Sequence, residues 1–169
     1  DRKTGLKGNG STKYLNSNRN NNAETGGNKH ISVYVGGSPS GGGLIGGGNA
    51  VGRSQLLFVT ASSLNITLGN IGGDFSHAHD RTTGLVGANA SSIAGSINSR
   101  AGSTNVSSPR AFVATPENAS TLVFGIGLSG SPTLSAARLA FYSIGESLDL
   151  ALLDARVSAL ITAFGVAIP

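Results

Sequence analysis

The clearest pattern in this sequence is the alternation of apolar and polar residues in short segments. The segments KHISVYV, SLNITL, TLVFGIGL and ARLAFYSI place the following residues on one face: Ile31, Val33, Val35, Leu64, Ile66, Leu68, Leu122, Phe124, Ile126, Leu128, Leu139 and Phe141. The residues predicted to point the other way are His30, Ser32, Tyr34, Ala140, Tyr142 and Ile144. A period of two is the side-chain period of a β-strand, so each segment is predicted to be a strand with one buried face.

Turn-forming residues separate these segments. Shorter strand candidates are TKYL, LIG, QLLFVTA, TGLVG and AFVA, and the segments predicted to end any element are SNRNNNAETGGN, GGSPSGGG, GGGNAVG and NSRAGSTNVSSP. Asn and Gly tolerate the positive φ angles that tight hairpin turns require. About ten short strands with frequent turns predict an all-β fold, an antiparallel β-sandwich of jelly-roll type.

The pattern changes near the C-terminus, where a helical period replaces the alternation. The apolar stripe consists of Leu150, Leu153, Val157, Leu160, Ile161 and Phe164. We predict one helix over residues 147–165, capped by Ser147 and stopped at Gly165. The expected buried residues are Leu153, Val157, Leu160 and Phe164, and those expected to face water or a neighbouring subunit are Asp154, Arg156 and Ser158. The spacing also fits two coiled-coil heptads, so a contact between subunits stays open as the alternative to docking on the sandwich.

Composition narrows the classes of function. A length of 169 residues suits one domain, residues 1–169, and the absence of Cys excludes disulfides, zinc–thiolate sites and thiol catalysis. The first residue is Asp1, so we expect a processed or excised piece of a longer product. No uninterrupted apolar run has the length of a membrane span, and no membrane insertion is expected.

Basic charge is concentrated near the N-terminus. The net charge is +4, and the basic residues among the first 29 positions are Arg2, Lys3, Lys7, Lys13, Arg19 and Lys29. Asn and Gly separate most of them and aromatic residues are only 5% of the chain, whereas nucleic-acid surfaces cluster basic charge and add aromatic rings. We therefore expect a solvated or partner-facing segment and no nucleic-acid binding.

Candidate chemistry is sparse. In HAHD, His77 and His79 would lie on one face of a strand beside Asp80, which is a possible divalent-metal site; a polar loop without a ligand is the alternative. No GxSxG elbow, phosphate loop, HExxH helix or close pair of carboxylates for glycoside hydrolysis occurs. We expect no enzyme activity, no cofactor and no metal. Hydrolysis of a polysaccharide that is abolished by a change at Asp74 or Asp80 would contradict the expectation of no enzyme activity.

Two terminal stretches carry a family resemblance. Both resemble parts of concanavalin A-like (laminin-G-like) jelly-roll domains in tailed-bacteriophage virion proteins. The entry of such a domain is resembled by GLKGNGSTKYLNSNRNNN followed by HISVYV, and its closing strand and helix are resembled by SAARLAFYSIGESLDLALLDARVSALI. These stretches cover about a third of the chain. The resemblance implies that the terminal strands meet, so the segment around Tyr14 is expected beside the segment around Phe141 in one sheet.

The resemblance also implies a function. It predicts a non-enzymatic structural protein of the virion, associated with a tail fibre or spike and contributing to adhesion to a host-surface glycan; the alternatives are a capsid decoration protein that stabilises the head and, less favoured, a glycan-processing enzyme. Expected partners are other virion proteins and copies of the same chain, with a trimer favoured. The sequence has no Trp, and its tyrosines are dispersed, which weakens the case for sugar stacking. The candidate binding residues are Tyr34, Arg53, His77, His79, Asp80 and Arg81.

Overall fold

The computed structural model describes residues 3–37, 41–48, 51–60, 62–79, 83–91, 95–127 and 131–168. Leu128, Asp80 and Arg81 lie outside the described residues. The strands are β1 (Leu6–Lys7), β2 (Leu15–Asn20), β3 (Lys29–Gly37), β4 (Gly42–Gly47), β5 (Ser54–Thr60), β6 (Ser63–Leu68), β7 (Phe75–Ala78), β8 (Gly84–Ala90), β9 (Ser96–Ala101), β10 (Thr104–Pro109), β11 (Ser120–Val123), β12 (Gly125–Ile126), β13 (Thr133–Leu134) and β14 (Arg138–Gly145). A 3-10 turn spans Asn21–Ala23, and the helix α1 spans Leu150–Ala167.

The strands form two large sheets. Sheet A has the order β1-β14-β3-β8-β9-β10, sheet B has the order β2-β11-β4-β5-β6-β7, and β12 pairs separately with β13. All pairings between these strands are antiparallel. The prediction of an antiparallel β-sandwich with one C-terminal helix is therefore confirmed.

The apolar core lies between the sheets. In β3 and β6, the residues predicted to point inward, such as Val33 and Ile66, are fully buried. Phe58 and Leu56 of β5 join them because directly paired residues of neighbouring strands share a face. The first half of strand β3 is buried on its second face as well, since His30 and Ser32 are at most 4% exposed.

The alternation predicted for TLVFGIGL and ARLAFYSI is interrupted. Phe124 has φ 66°, a left-handed conformation that L-residues with large side chains rarely adopt, and it separates β11 from β12. Val123 is consequently as buried as its predicted inward neighbours. In β14 the register shifts between Leu139 and Phe141, so Phe141 lies opposite Tyr34 on the outer face, whereas Ile144 packs against the core. Tyr142 likewise lies opposite Val33, so the predicted faces of Phe141, Tyr142 and Ile144 were wrong.

Several predicted turn segments are strands. NSRAGSTNVSSP contains most of the β9–β10 hairpin, closed by a two-residue turn in which Gly102 has φ 57°. Strand β2 runs through NSNRN, whereas TKYL contributes only its last residue to that strand and AFVA forms only an isolated bridge at Phe112. These polar strands lack the apolar alternation used for prediction because much of their surface is solvated.

The terminal strands meet in a different way from the one predicted. Strand β1 pairs with β14, with Leu6 opposite Leu139. Tyr14 precedes β2, which belongs to sheet B, while Phe141 belongs to sheet A. The expectation that the segments around Tyr14 and Phe141 lie in one sheet is therefore wrong.

Helix α1 docks on the outer face of sheet A through its first turns. Leu150 packs over Gly87, where a Cβ would lie only 3.1 Å from the Leu150 side chain. Asp154 accepts from Arg100 of β9, with Nε to Oδ2 at 2.8 Å. The N-cap is Asp149, whose carboxylate accepts from the amides of residues 151 and 152, so the prediction of Ser147 as the cap was wrong. The helix also continues past the predicted stop at Gly165.

The last turns of α1 extend past the sheet. Leu150 and Val157 are buried, whereas Leu160 and Phe164 are 44% and 46% exposed, which contradicts their predicted burial. Asp154 was expected to face water or a neighbouring subunit, but its side chain is only 15% exposed. By length and composition alone the helix could span a membrane, since its mean hydropathy is 1.7 and 11% of it is buried. The ion pair between Asp154 and Arg100, however, holds the first turns of the helix on the sheet.

Candidate functional site

The predicted binding residues that the structure describes do not form one surface. Tyr34 lies on the outer face of sheet A, paired with Leu85 and Phe141. Arg53 lies beside Asp74 at sheet B. His77 is 1% exposed and points between the two sheets, where no surface ligand would reach it.

Asp74 is the centre of a polar network on the outer face of sheet B. Its carboxylate accepts hydrogen bonds from Arg53 at 2.7 Å, Gln55 at 3.2 Å, Asn65 at 3.4 Å and Thr67 at 2.5 Å. Burial would raise the pKa of the Asp74 carboxyl, but hydrogen bonds from Thr67 and Arg53 and the charge of Arg53 lower the pKa below its ordinary value. A carboxylate held in this way is suited to join strands β5 to β7 and is poorly suited to proton transfer.

The His77 ring connects the two sheets. Ser99 of β9 donates to the carbonyl of Val106 at 3.2 Å, so its hydroxyl accepts from His77 Nδ1 at 2.8 Å. His77 Nε2 is buried without a hydrogen-bond partner among the described residues. Burial, with a smaller contribution from neighbouring His79, lowers the pKa of His77, because a charged ring there would lose its hydration.

The second histidine of HAHD lies at the end of β7 and has an aromatic neighbour. The ring of His79 stacks on Phe58, with centroids 5.9 Å apart and planes 19° apart. Among the described residues no group of three His, Cys, Asp or Glu side chains is placed to hold a metal ion. Asp80, the carboxylate of the candidate metal site, lies outside that part of the chain.

Lys29 is a buried ionisable residue whose burial the sequence did not reveal. It was predicted to belong to a solvated or partner-facing segment, but it is 1% exposed and begins β3 with its side chain turned inward. Lys29 Nζ donates to the main-chain oxygen and to Oδ1 of Asn21 at 2.6 and 2.7 Å. Burial, with a smaller contribution from the charge of Arg19, lowers the pKa of Lys29 to about 7.

A groove lies along one side of the sandwich, between the first strand of each sheet. It consists of two cavities of about 500 and 180 Å³, which share Leu6, Leu15 and Phe124. Residues of the larger cavity include Lys7, Lys13 and Tyr14, and those of the smaller one include Ala140, Phe141 and Tyr142. We call this surface the edge groove.

The edge groove brings together aromatic residues that are dispersed in the sequence. Tyr14 and Tyr142 both line the groove, although 128 positions separate them in the sequence. They are 47% and 44% exposed, and Leu6 is 60% exposed. Phe124, the residue with left-handed backbone, forms part of the floor. Strained backbone of this kind is often found at functional sites. No motif in the sequence marks this surface, because the pairing of β1 with β14 is what creates it.

Comparison with known proteins supports the architecture alone. No family model matches the sequence, and no curated protein matches it. Among solved structures, the chain is similar to domains LG4-5 of the mouse laminin α1 chain, with a TM-score of 0.52 and 17% sequence identity over 73% of this chain. The match spans 36% of the laminin chain. At this identity the likeness concerns the fold: the chain has a concanavalin A-like jelly-roll sandwich of the kind found in laminin G domains.

Proposed function

We propose that this chain is a non-enzymatic structural domain of a bacteriophage virion, that it works as a homo-oligomer, with a trimer favoured, and that it contributes to adhesion of a tail fibre or spike to the host surface. The assignment to a phage rests on the resemblance of the two terminal stretches described above. The carboxylate of Asp74 is engaged by Arg53 and Thr67, which supports the proposal that the domain is not a hydrolase.

The observation that carries the proposal is the exposed apolar end of α1. Leu160 and Phe164 are about half exposed and Val166 is 85% exposed. No charged residue occurs after Arg156 in the helix. A wide apolar stripe on a helix is normally covered, and the spacing from Val157 through Leu160 to Phe164 is the spacing of helix–helix contacts. We infer that copies of α1 cover one another in the assembled protein.

Sedimentation equilibrium of the full chain tests this role. The wild type should sediment as an oligomer, and Leu160→Glu combined with Phe164→Glu should shift it to a monomer with unchanged circular dichroism. Thr162→Glu is the matched control, because this residue is exposed on the same helix but lies off the apolar stripe. A wild-type chain that is monomeric at all concentrations would contradict the oligomer.

A second experiment addresses location. Antibodies against the domain should label the tail fibres or spikes of purified phage particles. Labelling of the head would instead support the capsid decoration role, and particles without any label would refute the assignment to the virion.

A further inference from the structure

We propose that the edge groove is a docking site for an extended, acidic peptide segment of a partner protein, which adds a strand to the open edge of β14. This inference goes beyond the proposed function and does not depend on it. The helix that carries the oligomer proposal contacts β8 and β9, whereas the groove lies at the opposite end of sheet A. Each proposal can therefore fail alone.

Strand β14 has a largely open edge. Strand β1 has only two residues and pairs with Arg138 and Leu139 of β14. Beyond these positions, no strand among the described residues pairs with the outer edge of β14, which runs on to Gly145. Unpaired backbone groups along such an edge can bind an extended peptide through main-chain hydrogen bonds.

The walls of the edge groove are largely apolar. Both sheets contribute to the groove, Leu15 and Phe124 from one side and Phe141 and Tyr142 from the other. A strand added to β14 would direct every second side chain towards the groove. Apolar side chains at those positions would cover Leu15 and Tyr142, which are 41% and 44% exposed. The groove therefore favours a peptide with alternating apolar residues.

The charged residues around the edge groove are basic. Lys7 and Lys13 are exposed and border the larger cavity, and no acidic residue among the described ones lines either cavity. The chain as a whole has a net charge of +4. An acidic segment complements this charge, while a second copy docked in the same place would bring further positive charge to it. We therefore assign the groove to an acidic partner.

The loop that carries Lys13 is held in place by its own hydrogen bonds. Asn9 Oδ1 accepts from the amides of Ser11, Thr12 and Lys13 at 3.2, 3.0 and 2.9 Å. Asn9 Nδ2 donates to the Thr12 hydroxyl at 2.8 Å. A wall ordered before binding loses less conformational entropy when a ligand arrives.

Calorimetry and hydrogen exchange on the full chain test the proposal with a defined probe. The probe is an acetylated and amidated octapeptide of alternating Glu and Val. We expect binding that slows amide exchange in residues 140–145 and that weakens at least tenfold in the double variant Lys7→Glu, Lys13→Glu. Arg156→Glu is the matched control, because Arg156 is an exposed cation on α1, away from the groove, and this variant should bind as the wild type does.

Two further probes separate strand addition from plain charge attraction. An octapeptide of alternating Lys and Val should not bind, and a Glu–Val peptide with alternate N-methylated amides should bind at least tenfold more weakly. No binding up to about 1 mM peptide overturns the proposal. The proposal is also overturned if Arg156→Glu weakens binding as much as the double variant does, or if the methylated peptide binds as tightly as the unmethylated one. Self-association of the chain that Tyr142→Glu abolishes would overturn it as well, because the occupant of the groove would then be a second copy.

Discussion

Lys29 provides a quantitative test of the packing. It lies at the start of β3 with 1% of its surface exposed, and both of its acceptors belong to Asn21, an uncharged residue. Burial lowers the pKa of Lys29 from 10.5 to about 7. In the unfolded chain the amine regains its ordinary pKa. Between about pH 7 and pH 10.5, the unfolded state is therefore protonated at Lys29 while the folded state is not.

The sign of the effect follows from this difference in bound protons. As the pH rises from about 7 to 10, the free energy of unfolding should increase, by at most about 1.4 kcal/mol per pH unit and by about 4 kcal/mol in total. Below the folded pKa both states bind the proton, and the dependence from Lys29 ends. Replacing Lys29 by Met, a side chain of similar length without a charge, should remove this slope.

Urea denaturation followed by circular dichroism is the appropriate assay, because the chain lacks the Trp that a fluorescence measurement would use. Unfolding free energies would be measured for the wild type, Lys29→Met and Lys13→Met at intervals of one pH unit. Lys13 is exposed, so its variant should keep the wild-type slope. If Lys29→Met and the wild type showed the same slope, Lys29 would not be neutral in the folded protein and the reasoning would be refuted.

Three further outcomes are expected. Asp149→Ala should lower the stability of the chain by about 0.5–2 kcal/mol in thermal or urea unfolding because it removes the helix cap, and Ser147→Ala should have almost no effect. Because the pKa of His77 is lowered in the folded state, the unfolded state binds a proton at a higher pH than the folded state does. The melting temperature should therefore fall as the pH drops below about 6.5, and it should fall less in His77→Asn. An equal fall in the wild type and the variant would exclude His77 as the cause. Leu56→Ala in the core should cost about 2–5 kcal/mol, whereas Val166→Ala, at an 85% exposed position, should leave the unfolding free energy of the monomer nearly unchanged.

Local periodicity was sufficient to predict the fold class. Strands such as β3 and β6 have one face in the core, and this burial requires apolar residues at every second position. The helical period after Gly145 likewise predicted α1. It did not predict which turns are buried, because the sheet beneath the helix ends before the helix does. Val157 is buried, whereas Phe164, on the same stripe, is 46% exposed.

Polar strands were missed for a related reason. The β9–β10 hairpin is held by backbone hydrogen bonds with its neighbours, and its largely solvated edge strand needs no apolar alternation. The left-handed backbone at Phe124 and the register shift in β14 also arise from contacts between strands. No local pattern specifies such contacts.

By itself the sequence determined a β-sandwich with a C-terminal helix, since both follow from the side-chain period of each element. The tertiary structure alone decided where chemistry is possible. It buried Lys29 against Asn21, separated Tyr34 from Arg53, and joined Tyr14 with Tyr142 along one groove. These relations depend on which strands become neighbours, and strand neighbours are chosen by the packing of the whole chain rather than by any one segment.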